Sequence, residues 1–401
     1  MHRFTNLQKS TASKRSLAAA TSAVIALCAM TTPLALAQDE GSDRDTGFRT
    51  TTPEVDARVE AATRRGLAWL ADHQSKAGFW AGDVGYKVNA SYRVTAPDAE
   101  HVGITALALM AFLACGEVPG RGKYGDNVER ATRYLIASSQ ENGYMTAQGS
   151  RMYSHAFATL ALAEVYGMTK TKELRDALQR SVQLIADSQN REGGWRYKPF
   201  AQESDMSITV CQVMALRASR NAGIFVSKNV IGDAVKYVRE SARNERESEY
   251  WRSFRNRELG HFNSGVFKYQ KRADARASFA LTAAGVTTLY GAGIYEDPLI
   301  DRGLEFMLEN QDEYNRIFDS HYFFFYGNYY AVQAFYIAGG RRWKDYYFGS
   351  NRTTGIADYL TDRQASDGSW SCEVGPGTSF ATAVSTLILA IPFQYLPIFQ
   401  R

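Results

Sequence analysis

Apolar positions recur along this chain in two alternating styles. Over 173–188, Leu174, Ala177, Leu178, Val182 and Ile185 form one stripe, with Arg175, Asp176, Arg180 and Gln183 between them. That spacing predicts a helix with a single buried face. Over 104–115 the chain reads ITALALMAFLAC, apolar nearly all round, which predicts a helix buried on most sides. The two styles alternate six times. Striped outer helices are expected near 55–73, 128–139, 173–188, 230–241, 298–310 and 355–363. Their apolar inner partners are expected near 102–115, 153–166, 207–218, 276–290, 329–337 and 379–390.

Between the members of a pair stands a recurring turn. It reads QNREGGW over 189–195, QASDGSW over 364–370, QSKAGFW over 74–80 and QENGY over 140–144, while FNSGVFKY over 262–269 keeps the small-aromatic-basic-Tyr ending of 194–197. A recurrence of this kind specifies a repeat architecture. Gly143, Gly193 and Gly368 suit the left-handed position that ends a helix. The Gln side chain can satisfy unpaired backbone groups there, and the aromatic can cover the adjoining helix ends. An open array would need polar-faced repeats at both ends, yet the first and last inner helices are as apolar as the rest. The expected fold is therefore all-α: a closed (α/α)6 toroid, or barrel, of six helix hairpins over 55–401.

Residues 1–37 stand apart. Lys9, Lys14 and Arg15 precede an apolar run over 17–30, and Ala35-Leu36-Ala37 follows, the order of a secretory signal peptide. A flexible linker over 38–54 and a secreted or periplasmic location are expected. No later run approaches the ~20 apolar residues of a membrane span. The chain has 46 basic and 42 acidic residues, net +4, and the excess lies in the leader at Arg3, Lys9, Lys14 and Arg15. A mature chain near neutrality gives no electrostatic case for nucleic acid. Cys115, Cys211 and Cys372 remain beyond the leader, an odd number without a CxxC, so disulfides are not expected to hold the fold.

The Gln-Gly-Trp turn between paired helices resembles that of the α/α toroids of squalene and hopene cyclases and of protein prenyltransferase β subunits. The resemblance covers 55–392 and is most specific at 189–195 and 364–370. The order of elements is similar to that of a secreted bacterial branch, the prenyltransferase and squalene oxidase repeat proteins. It implies a central cavity and an isoprenoid or other hydrophobic ligand. Protein prenyltransferases hold zinc with an Asp-x-Cys pair at the start of an inner helix and a distant His. Here Asp205-Met206-Ser207 falls at that place with Ser207 for the thiolate, and His321 would be the distant ligand, so zinc is a doubtful cofactor. The DxDD acid motif of squalene-type cyclases is absent. Cys115-Gly116-Glu117-Val118 approaches the Cys-Gly-Glu-Gln of thioester domains but lacks the Gln that would be the acyl partner.

In a closed ring the inner helices start at one mouth, where their dipoles favour an anion. The residues at those starts are Glu100, His101, His155, Asp205, Ser207, Arg276, His321, Tyr326, Tyr329 and Ser379. Asp205, His155 and His321 are the candidates for acid–base chemistry or metal ligation. Asp205, Ser207 and Ser379 are equally natural helix caps. Over 321–336 nine aromatics fall in sixteen residues, suited to lining a cavity for an isoprenoid or a sugar, or to filling a core. The segment 83–99 reads as an insertion near the mouth, a lid or a long loop; 239–257 reads as a solvated, charge-rich loop or helix extension.

Three functions compete. One is a cyclase- or transferase-like enzyme. Another is a non-enzymatic module that holds an apolar molecule inside or a protein partner on its rim. The third is a polysaccharide-active (α/α)6 enzyme, for which Glu100 and Asp205 would have to supply the carboxylate pair.

Overall fold

A computed structural model describes residues 56–244, 246–247, 265–272 and 275–399. The expected leader and linker lie outside these residues, as does most of the charge-rich segment 239–257.

The outer helices are α1 (Ala57–Asp72), α3 (Gly125–Ala137), α5 (Lys172–Asp187), α7 (Lys228–Glu240), α9 (Pro298–Ile317) and α12 (Ile356–Arg363). The inner helices are α2 (Val102–Ala114), α4 (Met152–Thr169), α6 (Met206–Asn221), α8 (Phe279–Gly291), α10 (Tyr322–Ala338) and α13 (Thr378–Ala390). Every residue of α2 and α8 is buried, whereas α7 buries only Ala234, Tyr237 and Val238. The two hydrophobic styles thus separate into two shells. Each inner helix packs on the next, and α13 packs back on α2 and α1. The ring closes, as the apolar terminal repeats require.

The turn motif does the stitching. Its Gln bonds two carbonyls at once: Gln74 Nε2 reaches Gly78 O at 3.0 Å and Asn127 O at 2.9 Å, and Gln189 Nε2 reaches Gly193 O and Val230 O, both at 2.8 Å. One carbonyl is in the Gln's own turn, the other at the next outer helix. Gln364 does the same at the seam, reaching Gly368 O at 2.9 Å and Ala62 O of α1 at 2.8 Å. The Trp indole returns to its own outer helix, Trp195 Nε1 to Ile185 O at 2.7 Å and Trp370 Nε1 to Leu360 O at 2.9 Å. The Trp backbone N–H goes to a threonine on the following inner helix, Trp80 to Thr105 at 3.1 Å and Trp370 to Thr382 at 3.1 Å. Trp195 is buried, so Trp195→Phe orphans the Ile185 carbonyl with a modest loss of volume. A loss of about 1–3 kcal/mol is expected, seen as a lower urea midpoint at unchanged m value. An unchanged midpoint would show the indole bond to be dispensable.

Three elements differ from expectation. The insertion is a hairpin of β1 (Ala81–Val88) and β2 (Ser91–Glu100), antiparallel, with register shifts between Gly82 and Gly85. Its alternating DVGYKV and SYRVT halves suit strands, and Asn89 takes the left-handed conformation at the tip (φ 56°). The fifth repeat carries an added short helix, α11 (Gly340–Tyr347), and a two-residue pairing of β3 (Gly349–Ser350) with β4 (Thr353–Thr354). Gln311 takes the motif's role there, reaching Tyr346 O and Thr354 O, both at 3.1 Å. Finally, α10 starts at Tyr322, earlier than the expected 329, because the whole aromatic run is helical. No helix of the described residues is long and apolar enough to cross a membrane.

Candidate functional site

The first turns of all six inner helices border one cavity of about 220 Å³, through His101, Ser154, Ser207, Ser278, Tyr326 and Phe380 among others. Nine tyrosines and five phenylalanines line it, five of them, Tyr322, Phe323, Phe325, Tyr326 and Tyr329, from α10. The hairpin contributes Val84, Gly85, Tyr86, Lys87 and Tyr92 to the wall. The insertion over 83–99 is thus part of the cavity.

Of the expected mouth residues, His101, Ser207, Arg276, Tyr326 and Tyr329 line this wall; Glu100, His155, Asp205, His321 and Ser379 do not. His101 caps α2, its Nδ1 accepting from Ile104 N at 3.3 Å, and burial pushes its pKa down to about 4. Glu100 accepts from Gln148 Nε2 at 3.1 Å and Tyr134 Oη at 3.4 Å. Asp205 caps α6 beneath the wall. Its Oδ1 accepts from Ser207 Oγ at 2.6 Å and Ile208 N at 2.9 Å. Complete burial pushes its pKa up to about 6 against the pull of these bonds, Arg196 and Tyr269.

His155 stands in the scaffold. Its Nδ1 accepts from Met145 N at 3.2 Å, the bond that Thr105 and Thr382 make in their own repeats. Its ring lies tilted against that of Tyr144, centroids 5.4 Å apart, and burial lowers its pKa to about 4. His321 holds the hairpin. Its Nδ1 accepts from Phe323 N at 3.0 Å, so Nε2 carries the proton and donates to Ala90 O at the tip, 2.7 Å away. Asp205, His155 and His321 are therefore each engaged in separate backbone work and are not brought together.

These engagements decide the zinc question on geometry. Ser207 spends its hydroxyl on Asp205, and both ring nitrogens of His321 are bonded to backbone. The set does not fit a zinc ion. Among the described residues no group of three His, Cys, Asp or Glu could hold a metal.

The wall also holds residues that the sequence reading passed over. Tyr197 and Tyr269 meet hydroxyl to hydroxyl at 2.7 Å, and burial pushes Tyr197 up to about 12, so it is a neutral phenol at physiological pH. Both close the aromatic-basic-Tyr endings of two repeats, and that shared ending was the available signal. Lys87 lies over the rings of Tyr269 and Phe323 at 5.3 and 5.0 Å, Arg276 over Tyr269 at 5.0 Å, and Arg151 over Tyr86 at 5.3 Å. No Asp or Glu borders the cavity among the described residues. Its chemistry is thus aromatic, with hydroxyls and three cations.

Among solved structures, the type II terpene cyclase MstE from Scytonema, seen with geranylgeranyl dihydroxybenzoate as substrate, is 12% identical over 84% of this chain and 98% of its own, with a TM-score of 0.53. The cellobiose 2-epimerase from Spirochaeta thermophila is 14% identical over 86% and 98% (TM-score 0.54), and that from Bacillus thermoamylovorans 15% identical over 83% and 98% (TM-score 0.55). At these identities the likeness is one of fold. No curated protein sequence matches the chain. The family model of the prenyltransferase alpha-alpha toroid domain matches residues 52–270, more than half of the chain, and the protein belongs to that family.

Proposed function

We propose that this protein binds an isoprenoid-class apolar molecule in its central cavity. The observation that carries the reading is the wall itself, in which fourteen of thirty-one residues are Tyr or Phe. Burial of apolar ligand surface contributes about 25 cal/mol per Å², and aromatic faces add to it wherever double bonds or cationic carbons lie against them. The terpene cyclase MstE, of the same fold, takes a geranylgeranyl compound, which supports the class. The leader-like residues 1–37 support export as the setting.

Neither carboxylate proposed for sugar cleavage, Glu100 or Asp205, borders the cavity, so a polysaccharide role has no acid pair there to work with. A scaffold role would leave the cavity without purpose. The test is titration of the purified chain with geranylgeraniol, followed by tyrosine and tryptophan emission, with Tyr326→Ala beside it. Saturable one-to-one binding at micromolar concentration or tighter is expected, weakened at least tenfold, about 1.4 kcal/mol, in the variant. Binding that is unsaturable, or untouched by the variant, would overturn the reading.

A further inference from the structure

The far end of the ring, where the inner helices stop, is covered by the chain's own C-terminal segment. Beyond Ala390, which ends α13, residues 391–399 make two 3-10 turns, Ile391–Phe393 and Pro397–Phe399, joined through Gln394 in the left-handed conformation (φ 61°). The first turn packs on α10 and α13, the second on α6 and α10. Tyr395 comes against Gly116 just past α2, where an added Cβ would lie 3.1 Å from the ring. Pro397 borders the same small pocket as Tyr290 and Gly291 at the end of α8, and the Ile398 amide is set against the Glu164 carboxyl of α4. The segment thus reaches all six inner helices. That placement makes it a plug.

Its hold on the ring is largely apolar. Ile391, Pro392, Leu396, Ile398 and Phe399 are buried, and burial of such side chains is what seats the segment. The amides of Gln394 and Phe399 close turns inside it, at 3.3 Å to Ile391 O and 3.1 Å to Leu396 O. Those bonds travel with the segment when it moves. The seat beneath it contains an acid. Glu164 is buried on α4, faced by Arg217 from α6, by Tyr329 from α10 and by the Ile398 amide of the plug. No charged group of α2, α3 or α5 acts on it among the described residues. Tyr329 also borders the central cavity, so the seat adjoins the cavity wall.

Burial holds this carboxyl neutral, with its pKa raised to about 8. Release of the plug lets water reach it, and a glutamate in water ionises near about pH 4.3. The seated form therefore keeps a proton that the released form gives up. Release becomes easier as pH rises from about 4.3 to about 8, and no easier above that. We propose that residues 391–399 are a pH-sensitive plug of the far end of the ring, seated over a neutral Glu164 in mild acid and increasingly released towards alkaline pH. No ligand is needed for this switch to act.

Hydrogen exchange of the full chain, read by mass spectrometry from about pH 5 to about pH 8.5, tests this, with Glu164→Gln beside the parent. Taking the ratio of parent to variant at each pH cancels the intrinsic pH dependence of exchange. Peptides covering 391–399 should exchange at least about a hundredfold faster than those of the fully buried α2 in both proteins, because the plug leaves while the ring stays folded. The ratio for the plug should rise about two- to tenfold per pH unit up to about pH 8 and flatten above, tenfold being the limit for one proton. Leu396→Ala should speed exchange of the plug several-fold at every pH and keep the same slope, since it loosens the seat but leaves the carboxyl in place. The parent's own protection, referred to unstructured peptides, should fall with the same slope, so the result does not hang on one variant. Exchange of the plug as slow as that of α2 would overturn the proposal, since the segment would then leave only with global unfolding. A ratio that holds constant with pH would overturn it too, by removing Glu164 from the switch.

Discussion

Gly368→Ala should destabilise the protein by about 3 kcal/mol or more and lower its melting midpoint by several degrees, more than the same change at most other glycines. Gly368 has φ 96°, and an added Cβ would lie 2.6 Å from the Arg65 carbonyl oxygen and 2.9 Å from its carbon. The left-handed backbone costs a non-glycine residue about 1–2 kcal/mol, and overpacking against a rigid helix backbone about 1–3 kcal/mol more. The place matters as much as the geometry. Gly368 and Gln364 press the last turn onto α1, joining residues some three hundred positions apart, and Trp370 lies against Gly66 of the same helix. Gly223→Ala supplies the control, since Gly223 has the same φ of 96° after α6 but nothing within 4 Å of the added atom. Thermal denaturation of both variants separates the dihedral cost, which they share, from the overlap at the seam. Equal losses would mean that the seam contact contributes nothing and that the ring is held shut by its inner helices alone.

The same motif explains why so much of this fold was legible. Helix type followed from whether apolar residues formed a stripe or a sleeve, as 173–188 and 104–115 show, and closure followed from the absence of polar terminal repeats. Gly143, Gly193 and Gly368 were readable because each needs a positive φ, of 86°, 89° and 96°. The hairpin is legible only as an insertion, because its strand alternation sits among glycines and fits a long loop equally well. The candidate site was legible in outline. Inner helix starts do converge on a cavity, yet a start presents some side chains to the cavity and others to the outer shell. A one-dimensional reading could not assign Ser207 to the wall and Asp205 behind it, two residues apart on the same turn. His155 shows the same limit. Its position in the first turn of α4 matches that of the scaffold threonines, and only the Met145 bond reveals that it does their work. Histidine drew attention for its chemistry, whereas its place in the repeat decided its role.

Glu164→Gln should make the protein more stable at neutral pH, by about 3.5 kcal/mol at pH 7. Glu164 is a lone acid in the apolar run ATLALAEV of an inner helix, with no neighbouring motif to mark it. It is 5% exposed on α4, and burial pushes its pKa up to about 8, against the opposing pull of a backbone bond at Ile398 and of Arg217. Below about pH 4 the carboxyl is protonated in both folded and unfolded chains and has no effect on their balance. Between about pH 4.3, where an unfolded glutamate titrates, and pH 8, the unfolded chain releases the proton and the folded chain keeps it. Stability therefore falls as pH rises, at up to about 1.4 kcal/mol per unit, and the loss levels off above pH 8. Glutamine keeps the shape and an acceptor oxygen but does not titrate. The variant and the parent should be alike near pH 4 and diverge steadily towards pH 8, with the variant above. His101 and His155, held down to about 4 by burial, give the opposite trend. They cost stability as pH falls below about 6.5, when the unfolded imidazoles take up protons that the folded ones refuse. Both proteins carry those histidines, so their contribution cancels in the difference between the two curves. Urea unfolding of the pair from pH 4 to 8 reads that difference directly. A variant less stable than its parent throughout would mean that Glu164 is ionised beside Arg217, and that the inner end of α4 is held by an ion pair in place of a neutral acid.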